Sequence, residues 1–330
     1  MRVLVKGAGV AGLCAAYELS ARNLAVEVAE AASGVGGGAS GLAGGMLAPF
    51  CEAESAPQEV LTLGRLSAGW WEEVLPPGHV SRGGTLVLAP ARDMGELTRF
   101  ASRTTGYEWL GEGEIAALEP ALAGLFRKGL FFLEEAHLDP LAALAALHDR
   151  LVERGVRFHF GCSGPPRGGP FDLVVDCTGS GAIATLDGLR GVRGEMLYLQ
   201  TDEVFLSRPV RLLHPRHPIY IVPRGGGRFM VGATMIENDD ATPISARSLM
   251  ELLNTAYALH PAFGEARVLS TGTGIRPAFA DNLPRVTREG EVIHVNGLYR
   301  HGFLLAPAMA RQAAHLAALP AQESSRRAQR

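Results

Sequence analysis

Apolar and polar positions change period several times along the chain, and the changes mark out elements. Arg2 to Lys6 (R-V-L-V-K) is a short β-branched run, the pattern of a buried strand. Leu13 to Arg22 then places Leu13, Ala16 and Leu19 at helical spacing, and Leu24 to Ala29 returns to strand character before Glu30. Together they predict a βαβ unit at the start of the chain. Gln58 to Val74 carries Leu61, Leu66, Trp70 and Val74 at near-helical spacing, and Gly84 to Ala89 reads as a strand. Asp139-Pro140 is a helix start, with Asp as cap and Pro in the first turn; Leu141, Leu144, Leu147 and Leu151 follow on one predicted face, and Gly155 closes it. Val156 to Phe160 and Asp172 to Val175 are predicted strands.

From Gly194 to Thr234 the pattern turns to β. Met196 to Leu199, Ile219 to Val222 and Phe229 to Gly232 alternate with Pro and Gly turns, and Arg224-Gly-Gly-Gly-Arg228 reads as a hairpin turn. A helix is expected around Ser245 to His260, strands at Val268 to Ile275 and Glu291 to Val295, and a last helix from Phe303 to Leu319. Segments of helix and strand thus occur at both ends and in the middle, with β-rich segments between them and no linker. The 330 residues make about two domains at roughly 150 residues each. The pattern predicts that both are discontinuous in sequence.

Composition narrows the function. A net charge of −3 argues against a nucleic-acid or membrane-surface binder that works by bulk charge. The uncharged stretch from Ala31 to Cys51 is too rich in glycine to be a spanning helix. The reading is a cytoplasmic protein with no integral membrane segment. Cys14, Cys51, Cys162 and Cys177 have no C-x-x-C spacing and read as reduced. His214-Pro-Arg-His217 is broken by prolines and has no acidic or thiol partner, so no metal is expected. Trp70-Trp71 reads as packing. Glycine is in excess at 41 residues, so the backbone must approach something closely in several places.

One such place is Gly7-x-Gly9-x-x-Gly12, which follows a strand and opens a helix. That is the dinucleotide pattern: a tight turn, close approach of pyrophosphate, close packing of helix on strand, and a helix N-terminus toward the phosphates. Glu30 stands where a carboxylate would meet ribose hydroxyls. A plain NAD site would continue into a helix. Here Gly36 to Pro49 continues as a long small-residue loop instead, which suits a bulky planar ring.

At these residues the chain resembles the D-amino-acid oxidase-like FAD oxidoreductases, and within them the glycine oxidases of thiamin biosynthesis. Beyond G-A-G-V-A-G from Gly7, the shared runs are G-G-G-A-S-x-x-x-G-G-M-L-A-P from Gly36, D-C-T-G-S-G from Asp176 and V-R-G-E-M from Val192. Others are H-P-I-Y-I-V-P-R from His217, V-G-A-T-M-I-E from Val231, G-I-R-P from Gly274 and N-G-L-Y-R-H-G-F-L-L-A-P from Asn296. The resemblance implies an α/β + β fold. An FAD-binding Rossmann-like domain of the glutathione-reductase type (1–78, 136–194 and 266–320) would interleave with an antiparallel-sheet substrate domain (79–135 and 195–265). A frayed tail would follow at 321–330.

The resemblance also implies site residues. Gly7, Gly9, Val10, Ala11 and Gly12 would hold the FAD pyrophosphate, and Glu30 the adenosine ribose. Ala39, Ser40, Gly44, Gly45 and Met46 would pass the phosphates and flavin ring, and Gly179 would lie near the cofactor. Arg300, His301, Gly302, Phe303 and Leu304 would line the flavin. A further backbone contact around Phe160 to Ser163 is left unplaced. FAD is expected to be non-covalent, because no Cys lies between Gly274 and Pro284. Arg276 is the implied carboxylate anchor, with Tyr220 a pocket hydroxyl and Arg300 close to the substrate. By residue type alone the three read as a surface ion pair, a core aromatic and a structural cation. The expected reaction is oxidation of glycine, with sarcosine and small D-amino acids as alternatives. A hydride leaves Cα for flavin N5, and an imine, a 2-oxo acid, ammonia and hydrogen peroxide follow, with O2 as acceptor. Other readings are a D-amino-acid dehydrogenase or sarcosine-oxidase relative, an RNA wobble-uridine-modifying flavoprotein and a non-catalytic flavin binder. A homo-oligomer is left open.

Overall fold

The computed structural model describes residues 1–162, 164–166 and 169–319. The tail expected at 321–330 lies outside them. Two large sheets organise the chain. The first has six strands, in edge-to-edge order Arg285–Glu289, Val292–Asn296, Leu173–Asp176, Arg2–Lys6, Ala25–Glu30 and Arg157–Phe160. All neighbours are parallel except the hairpin at the 285–296 edge. Val3, Val5, Val28, Leu173, Val175 and Ile293 are buried because helices cover this sheet, which is why its strands read as apolar runs.

Helix Val10–Ser20 packs against the last helix, Gly302–Ala318, and both bring alanines to the shared core (Ala15 and Ala16; Ala310, Ala313 and Ala314). The last helix contains Pro307, which has no N–H to offer the carbonyl of Phe303. The Ser67 hydroxyl at 3.1 Å and the Trp71 indole N–H at 2.9 Å donate to that carbonyl instead. Trp71 therefore both fills the core and completes a hydrogen bond. Trp70 is buried beside it and donates to Glu18 at 2.8 Å.

Helix Pro140–Glu153 starts as its sequence requires, with the Asp139 carboxylate accepting from Leu141 N at 2.9 Å and Ala142 N at 3.2 Å. Leu144, Leu147 and Leu151 are buried, but Leu141 is 52% exposed. It sits in the first turn beside the loop at Gly41 and not over the sheet. The segment expected as one helix from Gln58 to Val74 is two, Gln58–Gly64 and Ser67–Val74, broken at Arg65-Leu66.

The second sheet has eight strands, in order Arg267–Ala278, Arg190–Gln200, Arg228–Gly232, Ile219–Pro223, Val210–Leu212, Thr85–Leu88, Lys128–Phe132 and Glu108–Gly111. It is antiparallel except where Val210–Leu212 runs parallel to Thr85–Leu88. The turn at 225–227 joins two of its strands, and all three of its glycines have positive φ, which only glycine takes without strain. Helix Ala246–Leu259 covers this sheet with Leu252, Ala256 and Leu259. Strand Arg267–Ala278 belongs to this sheet, past the division expected at 265/266, and strand Arg190–Gln200 runs through the one expected at 194/195. A small third sheet pairs Met46–Leu47 and Val80–Ser81 with Ala136–Leu138. No helix among the described residues is long and apolar enough to cross a membrane.

Candidate active site

A cavity of about 820 Å³ is lined by residues of both large sheets. On the six-stranded side its walls are the carboxyl ends of parallel strands, at Lys6, Glu30 and Asp176, the usual ligand edge of such sheets. Gly7 turns the chain at φ +97°, where a Cβ would come within 2.6 Å of the Cys177 carbonyl. Gly9, Val10 and Ala11 line the cavity, and helix Val10–Ser20 begins here, so its first N–H groups have no helical acceptor. Ser40 Oγ accepts from Val10 N at 3.1 Å. Glu30 accepts from Ala8 N at 2.6 Å and Ala32 N at 2.8 Å, which fixes its carboxylate at the cavity wall. Gly12 does not line the cavity. A Cβ there would lie 1.8 Å from the Gly7 carbonyl, so glycine at this position lets the helix pack on the turn.

Ala39, Ser40, Gly44, Gly45 and Met46 continue the wall, as do Gly179 and the start of the last helix, Gly302, Phe303 and Leu304, with Arg300 and His301 before it. Gly44 passes Tyr220 so closely that a Cβ would lie 2.7 Å from its ring. The Arg224 guanidinium holds the Gly44 carbonyl at 2.7 Å. The loop 296–301 is tied to both sides: Asn296 Nδ2 donates to Gly179 O at 3.0 Å and Tyr299 N to Pro277 O at 3.0 Å. Of the unplaced segment near Phe160, Cys162 reaches the cavity, and Ser163 lies outside the described residues. A cavity of this size, a glycine turn under a helix N-terminus and a strand-end carboxylate suit a dinucleotide such as FAD.

The eight-stranded side presents Arg276 and Tyr220. Arg276 lies across Gly194 on the neighbouring strand, where a Cβ would be 2.2 Å from its guanidinium carbon. Its Nη1 donates to Thr234 O at 3.0 Å. Burial holds its pKa below the ordinary value, and the Arg300 charge acts in the same direction. Among the described residues no carboxylate pairs with it. The Tyr220 hydroxyl likewise has no hydrogen-bond partner among them.

Arg300 is placed differently. Its Nη2 is 3.3 Å from Glu52, and Glu52 also takes Arg211 Nη1 at 3.1 Å, with His301 Nδ1 at 3.3 Å. Burial alone would raise the Glu52 carboxyl, but the Arg300 and Arg211 guanidiniums outweigh it and hold it at about 2. Burial pushes His301 down to about 4, so it is neutral at physiological pH. Glu52 and Arg211 had no signal in the sequence. Glu52 stands at the end of a short helix, Pro49–Glu52, Arg211 lies 159 positions away on a strand, and only the fold brings them together.

A dinucleotide cavity shared by a parallel sheet and a largely antiparallel one, with a guanidinium opposite that pairs with no carboxylate among the described residues, defines a flavin-dependent oxidoreductase. The chain belongs to the FAD dependent oxidoreductase family (DAO), whose model matches residues 2–316. It is 67% identical over 314 residues to a Rhizobium etli protein named as a thiamine biosynthesis oxidoreductase, ThiO, covering 95% of each chain. It is also similar to the crystal structure of glycine oxidase from Geobacillus kaustophilus, at 26% identity, a TM-score of 0.77 and coverage of 96% and 94%. An L-α-glycerophosphate oxidase from Mycoplasma pneumoniae with FAD bound shares the fold, at 20% identity, a TM-score of 0.81 and coverage of 97% and 95%.

Proposed function

We propose that this chain is an FAD-dependent glycine oxidase serving thiamin biosynthesis, with O2 as electron acceptor and the cytoplasm as its compartment. The observation that carries the reading is Arg276, a guanidinium in the cavity with no carboxylate partner among the described residues. A guanidinium so placed takes a substrate carboxylate through two parallel hydrogen bonds, fixing orientation as well as affinity. Gly194 leaves the room for it, and the Thr234 carbonyl holds one of its nitrogens.

Bound FAD supplies the two-electron acceptor for the Cα–H bond of the substrate. The protein does the rest. Arg276 orients the α-carbon, and Tyr220 offers a free hydroxyl to the amine or carboxylate. Arg276 and Arg300 together make the chamber positive, which disfavours an ammonium and leaves the amine its lone pair. Glu52 fixes Arg300 in place. The sum is glycine + O2 + H2O → glyoxylate + NH3 + H2O2, with sarcosine and small D-amino acids as secondary substrates.

The site assignments rest on placement in the cavity. Gly7, Gly9, Val10 and Ala11 would hold the pyrophosphate, Glu30 the ribose, and the loop 39–46 with Gly179 and 300–304 the remainder. The N-terminus of helix Gly302–Ala318 would favour negative charge on the reduced ring. Peroxide assays on the yellow holoenzyme with glycine, sarcosine, D-alanine and L-alanine test the reading. Glycine is expected to give peroxide, and Arg276→Met to lower kcat/KM by about a thousandfold or more, as for loss of one partner of a buried charge pair. No peroxide from glycine, or an unaffected Arg276→Met enzyme, would overturn it.

A further inference from the structure

Beside Arg276, two cavity-lining guanidiniums have one carboxylate between them, while the other acids of the wall near it, Glu54 and Glu195, are held by Arg103 and Arg193. Arg211 and Arg300 share one carboxylate, Glu52. His301 beside them is neutral, its pKa pushed down by burial. The other cations along the cavity are matched, Lys6 by Asp176 and Arg99 by Glu96. If Arg276 takes the substrate carboxylate, the Arg211–Arg300 pair still has only Glu52 between its two charges.

That pair has donors to offer. Arg211 is only 12% exposed and stacks over the Phe100 ring. Its Nη1 bonds Cys51 O at 3.2 Å and Glu52 Oε1 at 3.1 Å, while its Nε and Nη2 have no partner among the described residues. Arg300 spends Nη2 on Glu52 and Nη1 on the Met235 sulfur at 3.3 Å, a weak acceptor. Arg276 lies within electrostatic reach of both Arg300 and Glu52.

We propose that Arg211 and Arg300 form a second anion subsite beside the Arg276 clamp, so that the chamber prefers dianionic ligands over monoanions of the same shape. The class is the amino acid or small acid with a second carboxylate. The proposal rests on the glycine-oxidase reading in one respect, that Arg276 anchors the first carboxylate. Glu52 sets its strength, because it neutralises one of the two guanidiniums. Glu135 is the other carboxyl near Arg211. It lies behind Cys51, whose N–H it accepts at 2.7 Å, and burial raises its pKa to about 7, so it is mainly protonated at pH 6.

The test is ligand titration of the FAD-loaded enzyme at pH 6, read as perturbation of the flavin absorbance. Malonate, succinate and glutarate are each compared with their monoamides, which keep the shape and remove one charge. At least one dicarboxylate is expected to bind about tenfold tighter than its monoamide, the scale of one charge-assisted pair. Arg211→Met should cut that preference to below about threefold, and Glu52→Gln should widen it, since it frees both guanidiniums. If no dicarboxylate beats its monoamide, or if the preference is the same in both variants, the subsite does not exist. Should Arg211→Met fail to hold flavin, the wild-type series and Glu52→Gln decide alone. Arg276→Met separates the two readings. Loss of monoamide binding there supports the clamp whatever the dicarboxylates do. Retained monoamide binding removes the clamp, while the Arg211 result still stands for the subsite.

Discussion

Arg276 and Gly194 form a unit across two strands, because the guanidinium occupies the space where a side chain at 194 would be. In Gly194→Ala the new methyl would press on the far end of a flexible side chain, which can move at small cost to the fold. The expected outcome is a kcat/KM for glycine lowered by about tenfold or more, because misplacement of a positioning group by an ångström weakens orientation. The unfolding midpoint should stay within about a degree of wild type for so small a stability change. Steady-state kinetics beside a thermal melt check both halves. Glu135 makes the second residue-scale prediction. It is fully buried and its pKa is raised from 4.5 to about 7 by burial. The folded protein therefore binds a proton that the unfolded chain has released, and stability falls as pH rises from about 4.5 to about 7. Glu135→Gln should remove that slope and be the more stable protein at pH 8, by up to about 3 kcal/mol on the linkage scale. Urea titrations at pH 5 and pH 8 measure it. Arg276 and Tyr220 were legible because each sits in a run, G-I-R-P and H-P-I-Y-I-V-P-R, that carries the family resemblance. Glu52, Arg211 and Glu135 were not, because their meaning lies in charge neighbours far away in sequence.

At the scale of elements, the last helix shows how local sequence is overridden. Pro307 sits inside a helix whose pattern otherwise continues, and the helix runs on because Ser67 and Trp71 take the carbonyl that the proline leaves free. Trp71→Phe removes one of those two donors and leaves a cavity where the rest of the indole packed, so it should cost about 2 kcal/mol or more. The double variant with Ser67→Ala leaves a buried carbonyl unpaired and should cost more than the two single changes added, by the excess penalty of about 1–3 kcal/mol for an unsatisfied group. A double-mutant cycle in denaturant reads the coupling, and simple additivity would sink this account. The elements with strong punctuation were legible: the strand–Gly turn–helix at 2–20, the Asp139-Pro140 start and the glycine turn at 225–227. The rest depended on partners. Leu141 has the right spacing for the buried face but sits in the first turn, beyond the core. Strand Arg285–Glu289 (R-V-T-R-E) lies at a sheet edge with Val286 as its one apolar residue, and short charged edges carry little apolar signal. Strand Arg267–Ala278 reads as a strand in any context, and nothing local says which sheet it will join.

At the scale of the molecule, the cavity lies between the two sheets, so whatever fills it bridges them. The six-stranded sheet supplies the glycine turn and Glu30, and the eight-stranded sheet supplies Arg276 and Tyr220. Loop 296–301 runs between them, hydrogen-bonded to Gly179 on one side and to Pro277 on the other. We propose on this basis that the chain is two interleaved domains, with the strands Arg190–Gln200 and Arg267–Ala278 as the seam: the first comes after the first-sheet strand Leu173–Asp176, and the second leads into the first-sheet strand Arg285–Glu289. A seam of this kind should make the two halves unfold together. FAD that binds only the folded chain should stabilise both, by about 2.7 kcal/mol at a free concentration of 100 times its Kd. Calorimetry of the FAD-loaded and FAD-stripped protein is the measurement. One transition is expected in each, moved upward as a whole by FAD, with the far-ultraviolet signal and, in a Trp109→Phe background that removes the tryptophan of the second sheet, the signal of Trp70 and Trp71 in the first core shifting together. Two transitions of which FAD moves only the one reported by Trp70 and Trp71 would mean that the nucleotide half folds around its ligand alone. The substrate sheet would then be an independent unit docked against it, and Arg276 would owe its position to that docking rather than to a shared core.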